Sequence, residues 1–285
     1  MSTERGPSPT RDETDPRLRA GVLERLLDAT PGGLLPGSLK ALYDGGLSIE
    51  TPRCYGNFVS SVDGVVAVEA RRDSGAIISG RNQADRFVMG LLRAFADAVL
   101  VGAGTVRAEG KGARWTPEFV YPAAAADFGA LRRQLGLTPT PRLVILTRSG
   151  DLDPERPAIQ AGPIIMAPDA AAGRLRRTMP AACEVIPMGD DDRVDLGRVI
   201  ERLRAQGYRR LLSEGGPTTF GALLRDHLVD ELFLTVSPVL AGRDPAADRL
   251  GLVEHAIFVA GRFPALALMS VRRSGSHLFL RYGLR

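Results

Sequence analysis

Two short glycine turns, each placed directly after an apolar run, carry the clearest chemical signal in this chain. The first turn is Gly102-Ala103-Gly104 after residues 98–101, and the second is Gly215-Gly216 after residues 209–212. Glycine lets the main chain approach a ligand closely, because no Cβ stands in the way. A helix that begins after such a turn offers free N–H groups to a phosphate. Two such turns on one sheet predict a bound dinucleotide.

The residues around the second turn strengthen this prediction. Pro217 suits the first position of a helix, and Thr218 and Thr219 add hydroxyl donors. Glu214 is a charge at the end of an apolar run, so it needs a partner, either an arginine or a donor on a ligand. The first turn is less specific, because Arg107 replaces the third glycine of the dinucleotide fingerprint and a plain strand-to-helix turn fits equally well.

A second phosphate site is indicated by Arg148, which lies between Thr147 and Ser149 and follows the apolar run Arg142–Leu146. An arginine between two hydroxyls suits a phosphate monoester. Such a site favours NADPH over NADH, because NADPH carries the additional 2′-phosphate. An ordinary polar loop fits the same residues.

Several polar side chains near the predicted crevice are candidates for contacting a substrate. Asp63 precedes Gly64 and either caps a turn, which is the commoner use of this pair, or faces the substrate. Arg93 either reaches the substrate or compensates the dipole at a helix C-terminus. The remaining candidates in this region are Ser74, Arg107, Arg114 and Trp115.

The composition limits the classes of function. The chain has 285 residues, of which 44% are hydrophobic, and a formal net charge of +4. Its basic residues are spread among acids, so we expect no face that binds nucleic acid. No apolar run reaches about 18 residues, so no membrane span is expected. The two cysteines, Cys54 and Cys183, and three scattered histidines predict no metal site and a reducing, cytoplasmic location.

Strand and helix patterns alternate from residue 55 onward, which is typical of an α/β fold with a mostly parallel sheet covered on both faces. Residues 266–273 and 277–282 flank a Ser-Gly-Ser turn and predict a closing antiparallel hairpin. Residues 106–121 show no regular pattern.

The N-terminal part of the chain has a different character. Residues 1–16 are polar and rich in proline, which predicts a disordered tail, and residues 17–30 have apolar side chains at helical spacing. We therefore predict an N-terminal extension over residues 1–52, made of tail and helix, and one domain over residues 53–285.

Five motifs then occur in an order that resembles a known family. They are residues 57–64 (NFVSSVDG), 92–94 (LRA), 97–106 (DAVLVGAGTV), 214–217 (EGGP) and 228–232 (LVDEL). Together they resemble the reductase domain of riboflavin biosynthesis, which has the dihydrofolate reductase fold, a three-layer α/β/α arrangement. The resemblance implies a homodimer that uses NADPH to reduce a phosphoribosylamino-pyrimidine to its ribitylamino form.

Taken with the glycine turns, the resemblance implies roles for individual residues. Substrate contacts are expected at Ser74, Arg93 and Arg114, and catalytic roles at Asp63 and Glu214. The expected cofactor contacts are Val59, Ala76, Gly102, Gly104, Thr105, Glu109, Thr147, Arg148, Gly215, Gly216, Pro217, Thr218, Thr219, Phe220, Gly221 and Ala222.

The chain departs from the family pattern after the first glycine turn. Glu109-Gly110 stands where the family usually has Asp-Asp-Pro, and residues 112–115 replace its Leu-Thr-x-Arg run. Because that region would bind the substrate phosphate, a pterin reductase is an alternative, with Trp115 stacking on the pterin. A nucleotide-binding module without turnover is a second alternative. The zinc motif of the family's deaminase half is absent, so only reductase activity is expected.

Overall fold

A computed structural model describes residues 22–29, 32–33, 35–68, 73–190, 194–244 and 248–285. The strands are β1 (Glu24–Asp28), β2 (Arg53–Ser60), β3 (Val65–Ala67), β4 (Ala98–Gly102), β5 (Arg142–Leu146), β6 (Ile164–Ala167), β7 (Glu184–Pro187), β8 (Arg210–Ser213), β9 (Glu231–Val236), β10 (Leu250–Gly251), β11 (Leu266–Ser274) and β12 (His277–Leu284). The helices are α1 (Gly37–Tyr43), α2 (Ser74–Ile78), α3 (Gln83–Phe95), α4 (Ala103–Ala108), α5 (Pro117–Val120), α6 (Ala125–Gln134), α7 (Pro157–Gln160), α8 (Asp169–Thr178), α9 (Leu196–Ala205) and α10 (Pro217–Arg225), with a 3-10 turn at Pro122–Ala124.

Ten strands form one sheet in the order β1-β11-β12-β9-β2-β8-β4-β5-β6-β7, and β3 pairs with β10 in a separate small sheet. The strands from β9 to β7 pair in parallel, whereas β12, β11 and β1 are added antiparallel at one edge. Strand β4 shows why both faces are covered, since Val99 and Val101 point into one apolar cluster and Ala98 and Leu100 into the other. The predicted three-layer fold and the closing hairpin are confirmed.

The two layers of helices cover opposite faces of the sheet. Helices α3, α6 and α8 pack into the first cluster, for example through Leu91 and Phe128. Helices α9 and α10 pack into the second cluster, for example through Leu203 and Leu223. Among the described residues, no helix is long and apolar enough to cross a membrane.

The predicted helix over residues 17–30 is wrong wherever the structure describes it. Glu24–Asp28 is a strand that pairs antiparallel with β11 at the sheet edge. The free edge of β11 offers the backbone hydrogen bonds that decide the local structure, which overrides the helical spacing of Leu and Val. Residues 17–21 and residue 30 lie outside the described ranges, as does the predicted tail over residues 1–16.

Two buried arginines attach this N-terminal segment to the C-terminal strands. Arg272 of β11 donates to the Tyr43 carbonyl at 2.7 Å and to the Asp28 carboxylate at 2.9 Å, and its guanidinium lies 3.7 Å from the Tyr43 ring centre. Arg281 of β12 donates to Glu231 at 2.7 Å and to the Ser48 carbonyl at 2.9 Å. The described part of residues 1–52 therefore shares a sheet and a core with the rest of the chain.

The stretch over residues 106–121, predicted to be irregular, contains the end of α4 and the whole of α5. These helices have 6 and 4 residues, which is too short for an apolar period to be visible in the sequence. Helix α4 leads from the first glycine turn into the loop that carries Arg114, and α5 follows that loop.

Candidate functional site

A cleft of about 560 Å³ opens at the carboxyl ends of β2, β4 and β8. Its walls come from the two glycine turns, from α2 and α3, from the segment before α5 and from the small β3–β10 sheet. Ligands of open α/β sheets bind at this edge, because the turns that leave the carboxyl ends of parallel strands gather there. We refer to it below as the cleft.

The two glycine turns meet inside the cleft. A Cβ built on Gly102 would lie 3.4 Å from the Thr219 hydroxyl oxygen, and one on Gly216 would lie 3.8 Å from that of Thr105. A Cβ on Gly215 would come within 2.9 Å of the Thr219 side chain, so a larger residue does not fit there without a shift. Glycine at 215 is therefore required by the close fold of the second turn onto the first residues of α10.

The N-terminus of α10 faces the cleft without a side-chain cap. Gly216 is the cap residue and Pro217 the first helical residue, and both line the cleft together with Thr218 and Thr219. Uncapped N–H groups at a helix start, with a side chain missing on both preceding residues, suit a phosphate group. The residues present thus fit the pyrophosphate of a dinucleotide.

Arg93 and Glu214 form a buried ion pair at one wall of the cleft. Arg93 Nη2 lies 2.6 Å from Glu214 Oε2, and Nε donates to Oε1 at 3.0 Å. The two side chains are 7% and 9% exposed. Arg93 also donates to the Arg114 and Thr116 carbonyls at 3.1 and 3.4 Å, so it holds the segment before α5 in place. The expectation that Glu214 needs a partner is met by an arginine.

Glu109 is a cleft residue whose proton affinity differs strongly from the ordinary value. Burial, the largest cause, and the charges of Asp73 and Glu214 together raise the pKa of its carboxyl to about 7, against the lowering effect of Arg93. All four residues line the same cleft. A carboxyl with this pKa is able both to donate and to accept a proton near neutral pH.

Three more arginines line the cleft besides Arg93. Arg114 is exposed, and among the described residues no hydrogen-bond or ion-pair partner of its guanidinium is found. Arg86 donates to the Val120 carbonyl at 3.0 Å, and Arg81 is exposed with a left-handed backbone, φ 57°. Sequence reasoning missed Arg81 and Arg86. The spacing of Arg86, Met89 and Arg93 on α3 was a usable signal, because residues three and seven apart share one helix face.

Most of the predicted site residues are brought together in the cleft. They are Val59, Ser74, Ala76, Arg93, Gly102, Gly104, Thr105, Glu109, Arg114, Glu214, Gly215, Gly216, Pro217, Thr218 and Thr219. The remaining six, Asp63, Thr147, Arg148, Phe220, Gly221 and Ala222, do not line it.

Asp63 serves a loop rather than the cleft. Its exposed carboxylate accepts the N–H groups of Ala241 and Gly242 at 3.0 and 2.6 Å, and these bonds together with one to Ser61, the largest contribution, lower its pKa to about 2. An aspartate before glycine commonly binds backbone N–H groups in this way. The structure gives no support for a catalytic role of Asp63.

Thr147 and Arg148 lie one strand away from the first glycine turn. Leu146, the last residue of β5, pairs with Gly102 at the end of β4. The buried Thr147 hydroxyl accepts the Gly150 N–H at 2.9 Å, which closes a turn, while Arg148 is exposed. They are thus placed beside the cleft and not in it.

Phe220 and Gly221 of α10 are packing residues. The Phe220 ring is fully buried, 4.7 Å from the ring centre of Phe58, and would be 2.6 Å from a Cβ on Gly56. A Cβ on Gly221 would lie 2.4 Å from the Glu254 carbonyl oxygen. Only the first residues of α10 therefore line the cleft. Among the described residues, no group of three or more His, Cys, Asp or Glu side chains is placed to hold a metal ion.

Comparison with known families agrees with this geometry. A family model, the RibD C-terminal domain, matches residues 54–280. The chain belongs to this family. The match runs from β2 through the last strand of the hairpin, so it includes every residue described above for the cleft, and the resemblance stated from the motifs is confirmed.

Curated relatives support the assignment to the RibD C-terminal domain family. The 2,5-diamino-6-ribosylamino-4(3H)-pyrimidinone 5′-phosphate reductase of Archaeoglobus fulgidus is 30% identical over 196 residues, which are 68% of this chain and 84% of that protein. The Aquifex aeolicus protein of the same name is 25% identical over 193 residues, 67% of this chain and 79% of its own length.

A solved structure shows the same fold. A pyrimidine reductase-like protein from Corynebacterium diphtheriae superimposes with a TM-score of 0.64 at 23% identity, covering 82% of this chain and 92% of its own. At this identity the likeness concerns the fold alone.

Proposed function

We propose that this protein reduces 2,5-diamino-6-ribosylamino-4(3H)-pyrimidinone 5′-phosphate to its ribitylamino form with NADPH, a step of riboflavin biosynthesis. The observation that carries the proposal is the meeting of two glycine turns beside the Arg93–Glu214 pair in one cleft of about 560 Å³. The first feature suits a dinucleotide and the second a polyhydroxylated substrate. Membership of the RibD C-terminal domain family and the names of the curated relatives point to the same reaction.

The cofactor would be held by the two turns and by the start of α10. A Cβ added to Gly104 would meet no atom within 4 Å, so the main chain there is open to a ligand. Thr218 and Thr219 would donate N–H groups and hydroxyls to the pyrophosphate, and Val59 and Ala76 would contact the nicotinamide. When bound, NADPH supplies the hydride that reduces the sugar carbon.

Four polar side chains of the cleft would hold the proton, the sugar and the phosphate of the substrate. Reduction of a C1′ imine needs a proton at the adjacent nitrogen, and Glu109, with a pKa of about 7, is placed in the cleft to hold it. Glu214, oriented by Arg93, would accept hydrogen bonds from ribose hydroxyls. Ser74 and Arg114 would bind the 5′-phosphate, since the Arg114 guanidinium is exposed at the cleft. Glu109 thereby takes the role first expected of Asp63.

Preference for NADPH over NADH is assigned to Arg148. It is exposed in the loop after β5, next to the first glycine turn. An arginine at that place would pair with the 2′-phosphate that only NADPH carries.

We also propose that the protein is a homodimer. Large apolar side chains are exposed between β9 and the start of β11: Val239, Leu240, Ile257, Val259, Phe263, Leu266 and Leu268. A second copy of the chain is the partner that would cover them, because exposed apolar side chains concentrated in one segment mark protein contacts. Light scattering of the purified protein should give the mass of two chains; the mass of one chain would refute the dimer.

A pterin reductase receives no specific support. Trp115, the residue expected to stack on a pterin, is only 6% exposed and belongs to the apolar core. Its side chain borders the cleft, but too little of it is exposed to leave a free face for stacking on a pterin.

Steady-state oxidation of NADPH by the purified protein tests the proposed reaction. We expect turnover with the diaminopyrimidinone phosphate or with 5-amino-6-(5-phosphoribosylamino)uracil, and none with dihydrofolate. Faster turnover of dihydrofolate would establish the pterin alternative. If NADPH binds in a titration but none of the three substrates is reduced, the protein is a nucleotide-binding module without turnover.

A further inference from the structure

Arg156 closes the C-terminal end of α4, the short helix that follows the first glycine turn. Its guanidinium donates to the carbonyl oxygens of Val106, of Glu109 at 3.2 Å and of Arg107 at 3.3 Å. The last carbonyl groups of a helix have no partner within the helix, and a cation there also opposes the negative end of the dipole. Arg156 comes from the residue before α7, about 50 residues further along the chain, so the contact fixes α4 from outside.

The Arg156 contact precedes a segment in which two glycines leave the main chain with little packing around it. Glu109 is the cap residue of α4 and has an extended backbone, with φ −69° and ψ 155°. Gly110 and Gly112 follow, are exposed, and have nothing within 4 Å of a Cβ position. Two side chains connect this main chain to the segment before α7: Arg156, and Arg107, which donates to the Asp151 carbonyl at 2.9 Å. Of the two, only Arg156 reaches the Glu109 carbonyl.

We propose that Arg156 is a positioning residue that keeps the Glu109 carboxyl inside the cleft. Arg156 does not line the cleft, so it acts on the substrate only through the main chain of residues 106–109. The groups that face the Glu109 carboxyl are Asp73 from the start of α2, Arg93 from α3 and Glu214 from the turn after β8. The inference rests on the proposed reaction, since it concerns the proton that this reaction needs.

A second arginine in the chain shows the same arrangement in a different setting. Arg132 of α6 donates to the carbonyls of Arg93, Ala94 and Ala96 at 3.1, 3.2 and 2.8 Å and so closes the end of α3. Arg132 is 1% exposed and lies in the core, whereas Arg156 is half-buried. Loss of Arg132 would therefore disturb folding, while loss of Arg156 leaves the core intact and can be tested in a folded protein.

The kinetic test compares Arg156→Ala, Arg156→Lys, Glu109→Gln and the double variant R156A/E109Q with the wild type. We expect R156A to lower kcat about tenfold with the KM for NADPH changed by less than twofold, and R156K to recover part of the loss. In the E109Q background, R156A should cause no further loss, because both changes remove the same function. Arg176→Ala is the matched control, since Arg176 is exposed and donates to one carbonyl, that of Val185, far from the cleft. Additive losses, or an unchanged kcat in R156A, would overturn the inference.

A second readout needs neither cofactor nor activity. Carbon NMR of labelled glutamate side chains, assigned by E109Q, follows the titration of Glu109 in the cofactor-free protein. The wild-type midpoint should lie near pH 7, and that of R156A should fall towards the ordinary value, because the carboxyl would move into solvent. An unchanged midpoint in R156A would overturn the inference. If the midpoint moves but the wild type reduces none of the offered substrates, the proposed reaction fails and the positioning of Glu109 by Arg156 stands.

Discussion

Arg93 and Arg272 are both buried arginines paired with a carboxylate, but they lie in different parts of the molecule. The Arg93–Glu214 pair forms part of the wall of an open cleft, at the parallel centre of the sheet. The Arg272–Asp28 pair lies at the antiparallel edge, with side chains only 2% and 7% exposed, and neither residue lines the cleft. The first pair keeps a face available to a ligand, whereas the second connects the two ends of the chain. We therefore expect the same chemical pair to contribute to binding in one region and to stability in the other.

The largest expected effect is on stability at the edge. Arg272→Ala removes a buried guanidinium that donates to the Asp28 carboxylate and to the Tyr43 carbonyl, so we expect a loss of about 3–5 kcal/mol in the free energy of unfolding. Urea denaturation measures it. Arg273→Ala is the control, because Arg273 is the next residue, pairs with Glu24 at 2.6 Å and is 45% exposed; its loss should cost roughly 0–1 kcal/mol. Equal losses in the two variants would contradict the comparison.

For the Arg93–Glu214 pair in the cleft, we expect a larger effect on catalysis than on stability. Glu214→Gln removes the negative charge that Arg93 holds in place, and we expect kcat/KM to fall about 100-fold, equivalent to about 2.7 kcal/mol. Stability should fall by less than in Arg272→Ala, since the cleft admits water and Arg93 keeps its bonds to the Arg114 and Thr116 carbonyls. Parallel kinetics and urea denaturation separate the two effects. If Glu214→Gln lowers mainly the free energy of unfolding and leaves kcat/KM almost unchanged, the Arg93–Glu214 pair is structural, like the Arg272–Asp28 pair.

A smaller effect is expected from the exposed arginine of the same cleft. Arg114→Ala should raise the KM for the phosphorylated substrate about tenfold, near 1.4 kcal/mol, and leave NADPH binding unchanged. Lys111→Ala is the matched control, because Lys111 is exposed in the same segment and does not line the cleft. Steady-state kinetics of both variants decide the point. An unchanged KM in the Arg114 variant removes this residue from the substrate site.

The smallest effect concerns the choice of cofactor. Arg148→Ala should weaken NADPH binding several-fold, by about 1 kcal/mol, because an exposed arginine paired with a phosphate contributes little in water. Binding of NADH should not change, which provides an internal control. Fluorescence titration of the wild type and the variant with NADPH and with NADH gives the ratio of their dissociation constants. An equal loss of affinity for NADPH and NADH would show that Arg148 does not contact the 2′-phosphate.

The parts of the fold and site that depend on local sequence were predictable. Each glycine turn follows an apolar strand directly, so both turns and the parallel strands that carry them could be identified without a structure. The need of Glu214 for a partner was also visible, since a charge at the end of an apolar strand cannot remain unpaired. That its partner is Arg93, 121 residues earlier, depends on how α3 packs against β8.

The features that the sequence did not predict depend on contacts between segments that lie far apart in the chain. The strand at Glu24–Asp28 forms because β11 lies beside it, and the pairs joined in register are more than 240 residues apart. Asp63 is drawn away from the cleft by two N–H groups of the loop after β9. Arg156 has no motif of its own, and its role depends on three carbonyl groups that only the folded chain brings within reach.

The edge strand has a practical consequence for anyone who shortens this protein. A recombinant fragment that starts at Arg53, the first residue of β2, would lack Glu24–Asp28 and uncover the hydrogen-bonding groups of β11. Unprotected strand edges of this kind recruit other chains, so the fragment should precipitate or form large particles even though every residue lining the cleft is present.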